Sequence, residues 1–153
     1  ENLVVIRGSP QKYENVDSSE TKGHEVMVTL DDKDRGTTYS VNMGYQEPVD
    51  SSQKTWLVRR PLRTASVKVR QDFDKWGAGA EVVHNGSRRD KTGSTSFGTL
   101  SSYTLLNLIA DYKYNEKVSF FTRVQNVGDI HYESSYGFYD EGVNALVGAQ
   151  MDF

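Results

Sequence analysis

Arginines with several N–H donors and aromatic rings with broad apolar faces gather in the same few segments of this sequence. Trp56, Arg59, Arg60 and Arg63 fall in one, Arg88 and Arg89 in a second, and Tyr132, Tyr136, Phe138 and Tyr139 in a third. A guanidinium donates to amide or phosphate oxygens, and a ring supplies wide contact at little conformational cost. Together they suit a large polar ligand, and Arg59, Arg60, Tyr132, Tyr136, Phe138 and Tyr139 are the candidate ligand contacts. The same residue types also bind lipopolysaccharide phosphates and form interfacial aromatic girdles, so both readings stand at this point.

Catalytic and metal chemistry find less support. His24, His84 and His131 lie far apart, and no pair has metal-ligand spacing. Asp32-x-Asp34-x-Gly36 begins like a calcium loop but lacks its distal glutamate. No strained turn or motif supports a Ser-His-Asp set or a carboxylate pair. The expectation is a chain with no catalytic residue, no metal and no cofactor. Cysteine is absent, which removes disulfides and thiolate sites. With 18 basic and 21 acidic residues and a net charge of −3, nothing favours nucleic acid as a partner.

The elements that must position these residues are strands. Only 36% of the 153 residues are apolar, against the ~45–50% of soluble domains, while aromatics reach 11% and glycine 13 residues. Alternation dominates: Tyr39, Val41, Met43 and Tyr45 interleave with Ser40, Asn42, Gly44 and Gln46, and Ala145, Val147, Ala149, Met151 and Phe153 with Asn144, Gly148, Gln150 and Asp152. Leu146 and Phe121 are exceptions. Expected strands fall at about 2–7, 18–30, 36–47, 64–72, 76–88, 102–113, 117–127 and 144–153, eight or so in all. Connections alternate between short turns (31–35, 73–75, 114–116) and long loops (8–17, 48–63, 89–101, 128–143).

Short turns on one side, long loops on the other and strands of ~10 residues describe a transmembrane β-barrel, whose average hydropathy is unremarkable. Tyr39, Tyr45, Trp76, Tyr112, Tyr114 and Phe153 rim the apolar faces, and Lys68, Arg70, Glu81, Asp111, Lys113 and Arg123 occupy the opposite ones. That many charges demand a wet or plugged interior rather than a dry core. Phe153 closes the last alternating strand, with the form of a signal read by the barrel assembly machinery. The N-terminal Glu1-Asn2-Leu3 lacks the features of a signal peptide, implying a mature or truncated chain. A complete eight-stranded outer-membrane protein, structural or adhesive, and a soluble ligand-binding barrel are the alternatives.

Several motifs resemble one family. Residues 101–132, running from Ser101-Ser102-Tyr103 to Asn126-Val127-Gly128-Asp129-Ile130-His131-Tyr132, resemble the penultimate hairpin of TonB-dependent receptors, with Val127-Gly128 in place of Leu-Phe. Lys22-Gly23-His24-Glu25 resembles another strand of theirs. Leu57-Val58-Arg59-Arg60-Pro61, Trp76-Gly77, Gly86-Ser87-Arg88-Arg89-Asp90 and Tyr136-Gly137-Phe138 resemble the vitamin B12 (cobalamin) subgroup. The resemblance implies an all-β, antiparallel outer-membrane barrel of about 22 strands around a plug, of which this chain is the C-terminal third without the plug. It also implies import of cobalamin or a related scarce nutrient, coupled to the TonB system through that plug. Lipid and lipopolysaccharide would surround the barrel.

Overall fold

The computed structural model describes residues 3–7, 12–16 and 18–152, so Phe153 lies outside the described residues. All regular elements among them are strands. A first hairpin pairs β1 (Leu3–Arg7) with β2 (Lys12–Val16), apart from the rest. Then follow β3 (Ser19–Asp32), β4 (Thr37–Asp50), the two-residue β5 (Thr55–Trp56), β6 (Arg63–Asp72) and β7 (Trp76–Asn85). After a small hairpin, β8 (Arg88–Lys91) with β9 (Phe97–Leu100), come β10 (Tyr103–Lys113) and β11 (Val118–Gln125). A second small hairpin, β12 (Glu133–Ser135) with β13 (Phe138–Tyr139), precedes β14 (Asn144–Met151).

Seven long strands form one sheet in the order β3-β4-β6-β7-β10-β11-β14, every neighbouring pair antiparallel, with β5 attached to β4. Seven of the eight expected strands are these. The eighth, 2–7, is also a strand but adds nothing to the sheet, and the loop expected over 8–17 is corrected, since it holds the partner strand Lys12–Val16. The sheet is therefore open, with β3 and β14 as its edges, and does not close as an eight-stranded barrel. Loops 89–101 and 128–143 likewise contain pairings of their own, which satisfy backbone groups that would otherwise lack partners.

Register explains the alternation. One row crosses all seven strands as Leu30, Tyr39, Val69, Ala80, Leu108, Val124 and Ala145. The adjacent row, on the other face, is Asp31, Thr38, Arg70, Gly79, Ile109, Arg123 and Leu146. Val41, Met43, Val69, Val118, Phe120 and Val147 share the apolar face, whereas Asn42, Arg70, Arg123 and Gln150 share the polar one. Among the described residues Leu100 is the sole buried hydrophobic side chain. Leu30 is 64% and Val147 76% exposed, so the sheet has no second layer. At ~1.5–3 kcal/mol for each large apolar side chain left in water, such a face requires a cover from outside the chain.

Turns and exceptions have local causes. Asp32 Oδ1 accepts the Arg35 amide at 3.1 Å and Gly36 takes a φ of 64°, closing the β3–β4 turn. Asn115 Oδ1 accepts the amides of Lys117 and Val118 at 2.9 and 2.8 Å, closing the β10–β11 turn. Trp76 and Tyr112 lie together beside these turns, their ring centroids 4.4 Å apart. Phe121 stands on the polar face because its ring lies over Gly148, where an added Cβ would meet it within 3.0 Å.

On the same face Arg70 reaches across β7 to Asp111, Nη1 to Oδ1 at 2.8 Å, while Nη2 meets Asp72 at 2.6 Å. Gly77 lies beneath: a Cβ there would sit 2.2 Å from the guanidinium and 2.7 Å from the carboxylate. We expect Gly77→Val to displace this pair and destabilise the folded sheet by about 1–3 kcal/mol. In an Arg70→Met background the same change should cost much less, as measured by denaturant unfolding in detergent. Equal costs in both backgrounds would refute the assignment of Gly77 as the seat of the bridge.

Candidate functional site

The candidate residues lie at the end of the sheet opposite the short turns, in segments 51–62, 86–102 and 126–143. A carboxylate outside the sequence-based set ties the three together. Asp90, on β8, is 1% exposed. Its Oδ1 accepts from Arg59 Nε of the first segment at 3.0 Å and from the Lys91 amide at 2.8 Å, and its Oδ2 accepts the Tyr136 amide of the third at 2.7 Å. Burial pushes its pKa upward, but the Tyr136 and Lys91 amides and the Arg59 charge outweigh it and hold the carboxyl below its ordinary value. Arg59 adopts a φ of 60°, and its amide donates to Arg89 O at 2.7 Å, so backbone and side chain both dock on β8.

Alternation along Arg88-Arg89-Asp90-Lys91 sorts these roles. Arg88, 6% exposed, lies buried like Asp90 and donates from Nε to Ser134 O at 3.2 Å and from Nη2 to Glu133 O. Its guanidinium carbon is 5.4 Å from the Tyr103 ring, which stacks on Tyr132 at 4.0 Å between centroids. Arg89 instead lies over Phe97 at 3.9 Å and donates to Trp56 O at 3.4 Å.

The family-like Asn126 to Tyr132 stretch anchors the third segment. Asn126 and Asp129 have φ values of 51° and 48°, a conformation that Asn and Asp adopt more readily than other side chains. The Asn126 side chain donates to Ile130 O at 3.0 Å and accepts from Ile130 N at 2.9 Å, and its amide donates to Asn107 Oδ1 at 3.1 Å. Asp129 Oδ1 accepts the Val143 amide at 3.0 Å. Gly142 leaves room for that carboxylate, which a Cβ would approach to 2.2 Å.

The six candidates thus separate. Arg59 is an ion-pair partner of Asp90. Tyr132 is half-buried in its stack, and burial, with Asp140 nearby, pushes its phenol upward. Tyr136, Phe138 and Tyr139 are 49%, 71% and 75% exposed at the β12–β13 turn, where Gly137 has a φ of 77°. Arg60 is exposed and has no side-chain partner among the described residues. Tyr132 and Tyr139 border one cavity of about 560 Å³ with Tyr103 and His131. A second, of about 450 Å³, lies among Trp56, Arg88, Arg89 and Phe97. Asp90 and Tyr103 were missing from the sequence-based set, and the signal for Asp90 was its place two residues after Arg88 on an alternating strand.

Truncating Asp90→Ala would orphan two amides and a guanidinium, each group costing about 1–3 kcal/mol when left unsatisfied. We expect faster proteolysis and amide exchange in segments 51–62 and 126–143 with the sheet still protected. Because the folded carboxyl lies below its ordinary value, its contribution is complete above about pH 4 and fades as pH falls through the depressed folded value. Loop protection in the unsubstituted protein should follow that acid titration, and a pH-independent protection would exclude Asp90 as the clasp.

Comparison with known proteins agrees with this architecture. The family model described as TonB dependent receptor-like, beta-barrel matches residues 1–127. The vitamin B12 transporter BtuB of Vibrio vulnificus is 28% identical over 123 residues, covering 80% of this chain and 19% of that protein. Among solved structures, the copper transporter OprC superposes with a TM-score of 0.78 at 15% identity, over 99% of this chain and 27% of its own. The ferric enterobactin receptor of Pseudomonas aeruginosa gives 0.77 at 19% identity, over 94% and 24%, and the pyoverdine receptor FpvA of the same organism 0.75 at 20%, over 99% and 23%. The chain therefore spans between a fifth and about a quarter of the lengths of these proteins. An open antiparallel sheet, apolar on one face and polar on the other, superposes along nearly its whole length on these receptors and carries the family pattern over its first 127 residues: the chain belongs to the TonB dependent receptor-like β-barrel family.

Proposed function

We propose that this chain is the C-terminal wall segment of a TonB-dependent transporter in the bacterial outer membrane, and that the parent imports a scarce nutrient. The observation that carries the reading is the single-layer sheet with one continuous apolar face and one charged face. In lipid only a closed wall satisfies every backbone group, so the remaining strands come from the rest of the parent protein. The apolar face meets lipid and lipopolysaccharide, and the polar face, with Lys68, Arg70, Asp111 and Arg123, lines the interior around a plug. The long-loop end faces outward. Phe153 is assigned to recognition by the barrel assembly machinery, and coupling to TonB runs through the plug. The wall is scaffold and recognition surface rather than catalyst.

Cobalamin is the proposed cargo. Support comes from the relation to a B12 transporter and from the motifs around Arg59, Arg88 and Tyr136. Solved neighbours bind pyoverdine or are named for ferric enterobactin and copper, so the fold alone does not choose among cargoes. The exposed Tyr136, Phe138 and Tyr139, held on a loop that Asp90 fixes, and the exposed Arg60 are the residues offered to it.

Two measurements on the intact receptor test this reading. Val41→Arg should destabilise insertion by about 2–4 kcal/mol if it lies near the midplane, whereas Asn42→Arg should not. Equal stability of the two in a lipid-refolding titration would reverse or abolish the assigned faces. Tyr136→Ala or Phe138→Ala should weaken cobalamin binding by about 1–3 kcal/mol at unchanged surface abundance. Unaltered affinity by direct titration would remove these rings from the site.

A further inference from the structure

Toward the long-loop end of the apolar face, three strands bring basic side chains to one place. His24 on β3 stands opposite Tyr45 on β4, Tyr45 opposite Arg63 on β6, and Ala65, the next residue of β6 on that face, opposite His84 on β7. His24, Arg63 and His84 border a single shallow cavity of about 390 Å³ together with Val26, Met43 and Ala65. Among the described residues no side chain pairs with His24 or Arg63. His84 engages Thr104 Oγ1 through Nδ1 at 2.9 Å, and among the described residues its Nε2 has no partner. The nearby acids are already engaged: Glu47 accepts the Tyr45 hydroxyl at 2.5 Å, and Glu20 pairs with Lys22 at 3.0 Å.

We propose that this cavity binds the phosphorylated headgroup of an outer-leaflet lipid, with its acyl chains lying down the apolar face over Val26, Met43, Val67 and Val82. The inference rests on the proposal that this face meets lipid, and it names where a headgroup is held. Three donors with no acidic partner among the described residues, bordering an apolar hollow at the edge of an apolar belt, match a molecule that carries an anion at one end and hydrocarbon at the other. A hydrated anion gains nothing from the Val26 and Met43 side of the cavity, and a buried protein contact would bring an acid to Arg63.

The test uses the intact receptor and its His24→Gln/Arg63→Gln/His84→Gln variant, with folding monitored by heat-modifiable mobility. Retention of bisphosphorylated lipid A and of the dephosphorylated lipid is measured by native mass spectrometry. The unsubstituted receptor should prefer the phosphorylated lipid, and the triple variant should lose about tenfold of that preference while holding the dephosphorylated lipid as before. Arg63→Glu alone should act in the same direction, which guards against a triple variant that folds poorly. Equal retention of both lipids by the unsubstituted receptor, or an unchanged preference in the variants, overturns the headgroup site while leaving the lipid-facing sheet intact. Displacement by inorganic phosphate alone, with the lipid chains contributing nothing, overturns it as well. Retention of neither lipid overturns both the site and the reading beneath it.

Discussion

A lone sheet has two faces and two edges, and everything in this structure answers to the fact that none of them is covered by the chain itself. Backbone ladders join seven strands, yet one buried hydrophobic side chain among the described residues is no core. In water the apolar face would be intolerable, and in lipid the unpaired backbone of β3 and β14 would be. Both demands are met together when the sheet becomes an arc of a larger closed wall with hydrocarbon outside and a polar filling within. The alternation of Tyr39-Ser40-Val41-Asn42-Met43 suits such a double environment.

The polar face shows how the wall stays ordered without a dry core. Arg70, Asp72 and Asp111 form a charged cluster spanning three strands, made possible by the missing side chain at Gly77. Phe121 over Gly148 is the apolar counterpart on neighbouring strands. In both cases a glycine is the space into which a longer neighbour folds, which accounts for glycines that strand propensity alone would disfavour. Beyond the sheet the same economy recurs: Asp90 and Asn126 each satisfy several backbone groups with one short side chain.

Seven long strands, their order of turns and loops, and the split of residues between faces were legible because period-two patterning is written into consecutive residues. Leu3–Arg7 was legible as a strand, but its partner, Lys12–Val16, is too polar to announce one, so the hairpin they form was not. The loop architecture was largely hidden for a different reason. Arg59, Asp90 and Tyr136 are separated by dozens of residues, and nothing short-range tells that one buried carboxylate joins them. Residue type marked Tyr132 as a possible ligand contact, whereas its stacking on Tyr103 depends on a partner that spacing alone does not reveal.

The register also fixes a direction that the strands themselves do not display. Relative to the row through Asp32, Thr37, Gln71, Ala78, Ala110, Thr122 and Val147, the apolar stretch lies wholly toward the loops on β3, as Val26–Leu30. On β14 the corresponding stretch, Ala145–Met151, straddles the row. Its midpoint has fallen by about five residues over six strand steps, or roughly 17 Å in 29 Å at ordinary strand spacings. If the apolar belt lies parallel to the bilayer, the strands lean by about 30°, a little less than the ~35–45° of closed transmembrane barrels. The polar rows lean with them. A molecule moving straight along the axis of such a wall crosses obliquely from the groups of one strand to those of the next, and meets the interior as a winding stair of donors and acceptors rather than as parallel rails.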